Sequence, residues 1–150
     1  MIFVLEILVI ALASCGFTLA LYIHTTKKTP GALVCPLEGS CEHVVQSDYS
    51  TICGVPVDVL GMIYYFCIGL LYTLFAFAPA ILPSFMSYAV IGISITSFLF
   101  SVYLTCVQAF ALKHWCTWCL FSALICTLIL VLTLYISNGA VFEFLHMFLA

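Results

Sequence analysis

Residues 113–136 read KHWCTWCLFSALICTLILVLTLYI, a short polar knuckle carrying two cysteines followed by an apolar run without a single charge. A helix needs roughly 20 apolar residues to cross a bilayer, and Trp115 to Ile136 has that length, with Asn138 and Gly139 expected to cap its C-terminal end. Working outward from this segment, three more runs have the same character: Ile2 to Ile23, broken only by Glu6 and a few small polar residues, Val55 to Phe77, and Phe85 to Leu112. Pro79 and Pro83 make Ala78 to Ser84 a tight turn, because proline ends helices. The first run lacks a positive leading region and a small-residue cleavage site, so it reads as an uncleaved anchor. The fold expected is an all-α integral membrane four-helix bundle, a single domain over residues 1–150, with helices at about 2–23, 55–77, 85–112 and 115–136. A surface loop over 24–54 and an interfacial tail over 138–150 complete it, the tail being too short to span.

Composition points the same way. Hydrophobic residues make up 66% of the chain and charged ones 6%, which would leave a soluble domain almost no polar surface. The three cations are Lys27, Lys28 and Lys113, with no arginine and no run of like charge, so nothing here neutralises a phosphate backbone and nucleic acid is excluded as a partner. Nine cysteines are too many to ignore, yet their odd number and scatter do not fit a fully paired secreted scaffold. Cys15, Cys67, Cys106 and Cys126 lie inside apolar runs and read as small buried hydrophobes. Cys35, Cys41, Cys53, Cys116 and Cys119 lie in or beside polar segments, where thiolates form.

His24 to Gly54 is the one extended polar stretch and includes Pro30, Pro36, Glu38 and Gly39. Within it, Glu42 to Tyr49 has the spacing of a short helix lying on the bilayer surface as a lid. This loop follows the first helix and the knuckle follows the third. An even number of crossings therefore puts both cysteine groups on one membrane face. Cys116-Thr-Trp-Cys119 opens a helix, where free backbone amides and the macrodipole favour a thiolate, and its second cysteine sits one turn deeper, toward lipid. Cys35 and Cys41, with five residues between them, can close a disulfide if their Cα atoms approach to about 5.5–6 Å. Two such pairs on one face make a relay by thiol–disulfide exchange. Structural disulfides, a four-cysteine zinc site, or a membrane carrier handing Hg(II), Cu(I) or Zn(II) between the pairs are the alternatives.

Cys35 to Cys41, then Val45, Ser47, Tyr49, Gly54-Val55-Pro56, Gly61, Ser101-Val102-Tyr103-Leu104 and Trp115-Cys-Thr-Trp-Cys119 resemble the vitamin K epoxide reductase family, in that order along the chain. The resemblance implies a bundle around a lipid quinone, ubiquinone or menaquinone, and a separate thioredoxin-like thiol oxidase as protein partner, with disulfide formation in other proteins as the outcome. By position, Cys35 takes the mixed disulfide with the partner, Cys41 attacks Cys116, and Cys119 reduces the quinone or adds to it. Ser47 matches the family's loop serine or threonine. Val57, Asp58, Leu60, Tyr64, Leu104 and Leu112 match its quinone pocket, with Asp58 read either as an interface residue or as a proton handler.

Ala123 stands where the animal enzymes of the family carry a tyrosine four residues after the CxxC, which argues against epoxide reduction and for the microbial disulfide-forming members. Many of those carry a fused thioredoxin-like domain; this sequence shows none, hence the expectation of a separate partner. All three lysines fall on the cysteine face. A literal positive-inside reading would make that face cytoplasmic, whereas the resemblance implies the extracytoplasmic face of the plasma membrane; an inverted enzyme is the alternative. Cys53 reads as a spare loop thiol, Trp115 and Trp118 as interfacial anchors, and His114 as a surface residue.

Overall fold

Four long apolar helices form the molecule in its computed structural model, which describes residues 1–29, 31, 33–36, 41–81, 83 and 85–149, with no side chain described over 139–148. Pro30, Glu38, Gly39 and Ser84, and the side chains of Gly139, Glu143 and His146, lie outside the described residues. In chain order, α1 is Ile2–Thr26, α2 Cys41–Val45, β1 Thr51–Ile52, β2 Val55–Pro56, α3 Val57–Phe77, α4 Phe85–Cys106 and α5 Thr117–Leu149. Four segments are long and apolar enough to cross a membrane: Ile2–Thr26, Val57–Phe77, Phe85–Leu112 and Thr117–Asn138. Large apolar side chains such as Ile7, Phe66, Leu70, Leu99 and Val131 point outward and are exposed. That surface would be a liability in water and is ordinary against lipid. The chain is an integral membrane four-helix bundle.

The helix ends depart from expectation in three places. α3 begins at Val57 rather than Val55, because Val55 and Pro56 pair antiparallel with Thr51 and Ile52. Their two-residue turn, Cys53 at φ 52° and Gly54 at φ 81°, has the doubly left-handed backbone that joins tight hairpins. α5 begins at Thr117 rather than Trp115, and it runs through Asn138 and Gly139 to Leu149 without the expected cap or separate tail. One interior glycine costs only about 1 kcal/mol, and no proline follows to stop the chain. The surface helix expected over Glu42–Tyr49 is shorter, α2 ending at Val45 and a single 3₁₀ turn following at Asp48–Ser50. Ser47 is extended there, and its hydroxyl donates to the Val44 carbonyl at 2.7 Å. Beyond Cys106, α4 continues to Leu112 as a π-helix, and Lys113 at φ 53° turns the chain out.

α1 packs most extensively on α3, α4 on α5, and α1 also on α5, while α3 and α4 barely touch. Tyrosines of α3 join the helices, as polar side chains do where lipid offers no hydrophobic drive to associate. Buried Tyr65 donates to the Ser122 carbonyl at 3.0 Å and lies 3.2 Å from Cys126 Sγ; Tyr72 donates to Thr133 Oγ1 at 2.8 Å. Gly16 of α1 lets the Tyr65 ring approach, since a Cβ there would sit 2.4 Å from it.

Candidate functional site

Cys116 is the last residue of the connector before α5 and is wholly buried. Its backbone N–H donates to Gln108 Oε1 of the π-helix at 3.2 Å, and its sulfur accepts the Cys119 N–H at 3.3 Å. Hydrogen bonding by the Cys119 thiol, helped by the backbone amides of Cys119 and Trp118, holds the Cys116 thiol below the usual range although burial pushes it up. The helix start thus stabilises a thiolate on the first cysteine, the physical reason for placing a CxxC there.

Cys35 and Cys41 form a disulfide with Cα atoms 6.0 Å apart. Cys41, at the start of α2, is buried and Cys35 half-buried. Cys41 and Cys116 belong to one buried cluster with Ile23, Val44 and Val45, against which Cys35, Leu112, Trp118 and Cys119 pack. All four sulfurs therefore gather at one end of the bundle. Trp118 does more than anchor an interface. Its indole N–H donates to the Val34 carbonyl at 2.9 Å, and its ring meets Tyr22 at 5.2 Å, tying the Cys35 segment to the CxxC helix. His114 likewise stacks on His43 of α2, centroids 5.1 Å apart.

Below the cluster lies a cavity of about 370 Å³ with a mostly apolar wall. Val57, Asp58, Leu60, Tyr64, Leu104, Leu112, Ser47 and Cys119, each singled out in the sequence, all line it, whereas Cys35, Cys41 and Cys116 do not. Cys119 is thus the cysteine of the two pairs that faces the cavity. The Ser47 hydroxyl, spent on the Val44 carbonyl, serves α2 first. The buried Tyr64 hydroxyl faces the Ser94 hydroxyl of α4, and among the described residues neither has a partner in good hydrogen-bond geometry.

Sequence reasoning missed three residues. Gln108 lines the cavity while holding the Cys116 amide, and a lone carboxamide eight residues before the CxxC in an apolar run was the available signal. His24 Nδ1 pairs with Asp58 Oδ2, and Lys27 Nζ stands 3.5 Å from Asp58 Oδ1. A histidine and a lysine three residues apart at the end of α1, opposite the single acid that opens α3, were legible as residue types but not as partners. Among the described residues, no three His, Cys, Asp or Glu side chains are grouped to hold a metal ion.

The sequence model of the family described as "Vitamin K epoxide reductase family" matches residues 7–134 of the 150. Comparison with curated proteins returned no match.

Proposed function

Since the chain belongs to the vitamin K epoxide reductase family, a membrane redox family working through cysteines, we propose that it oxidises a thioredoxin-like protein and passes the electrons through Cys35–Cys41 and Cys116–Cys119 to a lipid quinone. Disulfide formation in other proteins is the result. The observation that carries this reading is the division among the sulfurs. Cys41 and Cys116 share a buried cluster, while Cys119 alone of the four opens onto the cavity.

A quinone fits what the cavity offers. About 370 Å³ of mostly apolar space falls within the range of small-molecule pockets, which take a few placed polar groups. The Tyr64 hydroxyl, a buried donor on a residue of the cavity wall with Ser94 near it, suits a carbonyl oxygen. When bound, the quinone supplies a two-electron sink, and the chain's own residues do the rest. A thiolate of the partner attacks Cys35 and breaks the Cys35–Cys41 bond, so that Cys41 leaves as a thiolate. Cys41 attacks Cys116 of an oxidised CxxC, freeing Cys119; the partner's second thiol then resolves the mixed disulfide at Cys35, and Cys35 displaces Cys116 to restore the loop disulfide. Trp118 and the histidine stack hold the two segments together during the exchange.

The test is quinone reduction by purified protein supplied with either a reduced thioredoxin-like protein or a small dithiol. Cys119→Ser is expected to abolish turnover with both, a loss of at least about a thousandfold, as for removal of other nucleophiles. Cys35→Ser is expected to lose the protein substrate while retaining the small dithiol. Equal loss of both substrates in Cys35→Ser would refute the division of labour between the pairs.

A further inference from the structure

One cluster is left unused by that relay: His24, Lys27 and Asp58, at the cysteine end of α1 and α3. The Asp58 side chain is only 6% exposed, and its two oxygens face different partners, Oδ2 the His24 ring and Oδ1 the Lys27 ammonium at 3.5 Å. Lys27 also reaches Ser50 Oγ at 3.4 Å, which pins it beside the carboxylate. His24 is 26% exposed and does not line the cavity; Asp58 does. The carboxylate is therefore a bridge with one end on an imidazole that meets water and the other at the wall of the cavity. Asp58 and Cys119 line the same cavity.

We propose that the His24–Asp58 pair is the proton entry of the cavity, carrying to a quinone bound there the proton that the CxxC cannot supply. The proposal rests on the quinone reading above. With Cys116 as thiolate and Cys119 as thiol, oxidation of the pair forms one S–S bond and releases two electrons and a single proton. Quinol formation takes two electrons and two protons. The remaining proton must come from water, and histidine is the side chain suited to exchange one near neutral pH. Lys27 holds the far oxygen of the bridging carboxylate in place at 3.5 Å, so that Asp58 orients the imidazole and passes its proton inward. The other titratable groups on the cavity wall are Tyr49 of the loop, Tyr64 and Tyr65 of α3, and Cys119 and Cys126 of α5; among the described lining residues α1 and α4 contribute none. Among the described residues, Asp58 is the cavity-lining group hydrogen-bonded to the His24 ring.

The experiment compares the full chain with His24→Gly and Asp58→Asn in two readouts. The first, made without quinone, is the exchange of the Cys119 S–H for S–D in D₂O, followed by infrared absorption and identified by its loss in Cys119→Ser. The second is the rate of quinol formation from the pre-reduced protein. Both rates are expected to fall by about a hundredfold in each variant, the scale of a lost proton-transfer group, and added imidazole is expected to restore both in His24→Gly. Small-molecule rescue separates proton transfer from a mere loss of packing, which imidazole would not mend. Unchanged exchange and quinol rates in the variants, or losses that imidazole leaves untouched, would overturn the proposal. A wild type that forms no quinol, yet whose Cys119 exchange still depends on His24, would overturn the quinone reading while leaving the proton path standing.

Discussion

At Cys116 two opposed effects meet on one sulfur. Burial disfavours a thiolate, but the Cys119 thiol and two backbone amides donate toward it and prevail, so the group ionises below the ordinary thiol range. The sign follows directly. A depressed value means that at neutral pH more of Cys116 is thiolate than a free cysteine would be, and acidification through that value protonates it and slows exchange. Thiolate ultraviolet absorbance, taken as the difference from Cys116→Ser, is expected to titrate with a midpoint below the roughly 8.5 of a free thiol. Because the Cys119 thiol is the largest cause, Cys119→Ala is expected to move that midpoint upward. A midpoint unmoved by Cys119→Ala would show that the helix start, and not the neighbouring thiol, sets the ionisation. Gln108 holds the same cysteine from behind through its amide at 3.2 Å, fixing where the sulfur sits rather than its charge.

Between elements, α1 meets α3 at close quarters at Gly16. A methyl group there would lie 2.4 Å from the Tyr65 ring, and Tyr65 is itself buried and tied to α5 through Ser122 and Cys126, so it has little freedom to yield. Gly16→Ala is expected to destabilise the bundle by about 1–3 kcal/mol, the cost of overpacking a filled core, measured by unfolding in detergent; a smaller residue at 65 in the same chain should recover part of it. A neutral Gly16→Ala would mean that α1 and α3 can slide apart. Contacts of this kind explain what was legible in the sequence. The four spans were readable because an apolar run is local, and so was the cysteine face, since it needs only a parity of crossings. The cavity residues Val57 to Tyr64, Leu104 and Leu112 were reachable through likeness to a family, not through periodicity, because these helices are apolar on every side. What escaped depends on neighbours distant in sequence: the pairing of Asp58 with His24, the Trp118 bond to Val34, and the π-helical turn that brings Gln108 under Cys116. The end of α5 was misjudged for another reason, since Asn138 and Gly139 are cap residues by propensity alone and the helix runs through them.

For the molecule as a whole, the parity that gathers the sulfurs also gathers the cations. Lys27, Lys28 and Lys113 stand at the cysteine end, so the charge bias that usually marks a cytoplasmic face opposes an oxidising location for the relay. Lys27 weakens that opposition. It is only 20% exposed on its side chain and is spent on Asp58 and Ser50, which leaves Lys28 and Lys113 as the outward-facing cations of the three. On the function proposed above, two lysines set against a chemistry that persists in oxidising compartments make the extracytoplasmic face of the plasma membrane the expectation to be tested. The protein carries its own reporter of the answer. Cys53 is an exposed free thiol at the tip of the hairpin, outside both proposed redox pairs and on the same face as they are. A membrane-impermeant maleimide added to intact cells is expected to label the protein, and Cys53→Ser to remove most of that label while leaving quinone turnover within about twofold, as for a surface substitution. Labelling that appears only after the cells are permeabilised would place the loop, and with it all four redox sulfurs, in the cytoplasm.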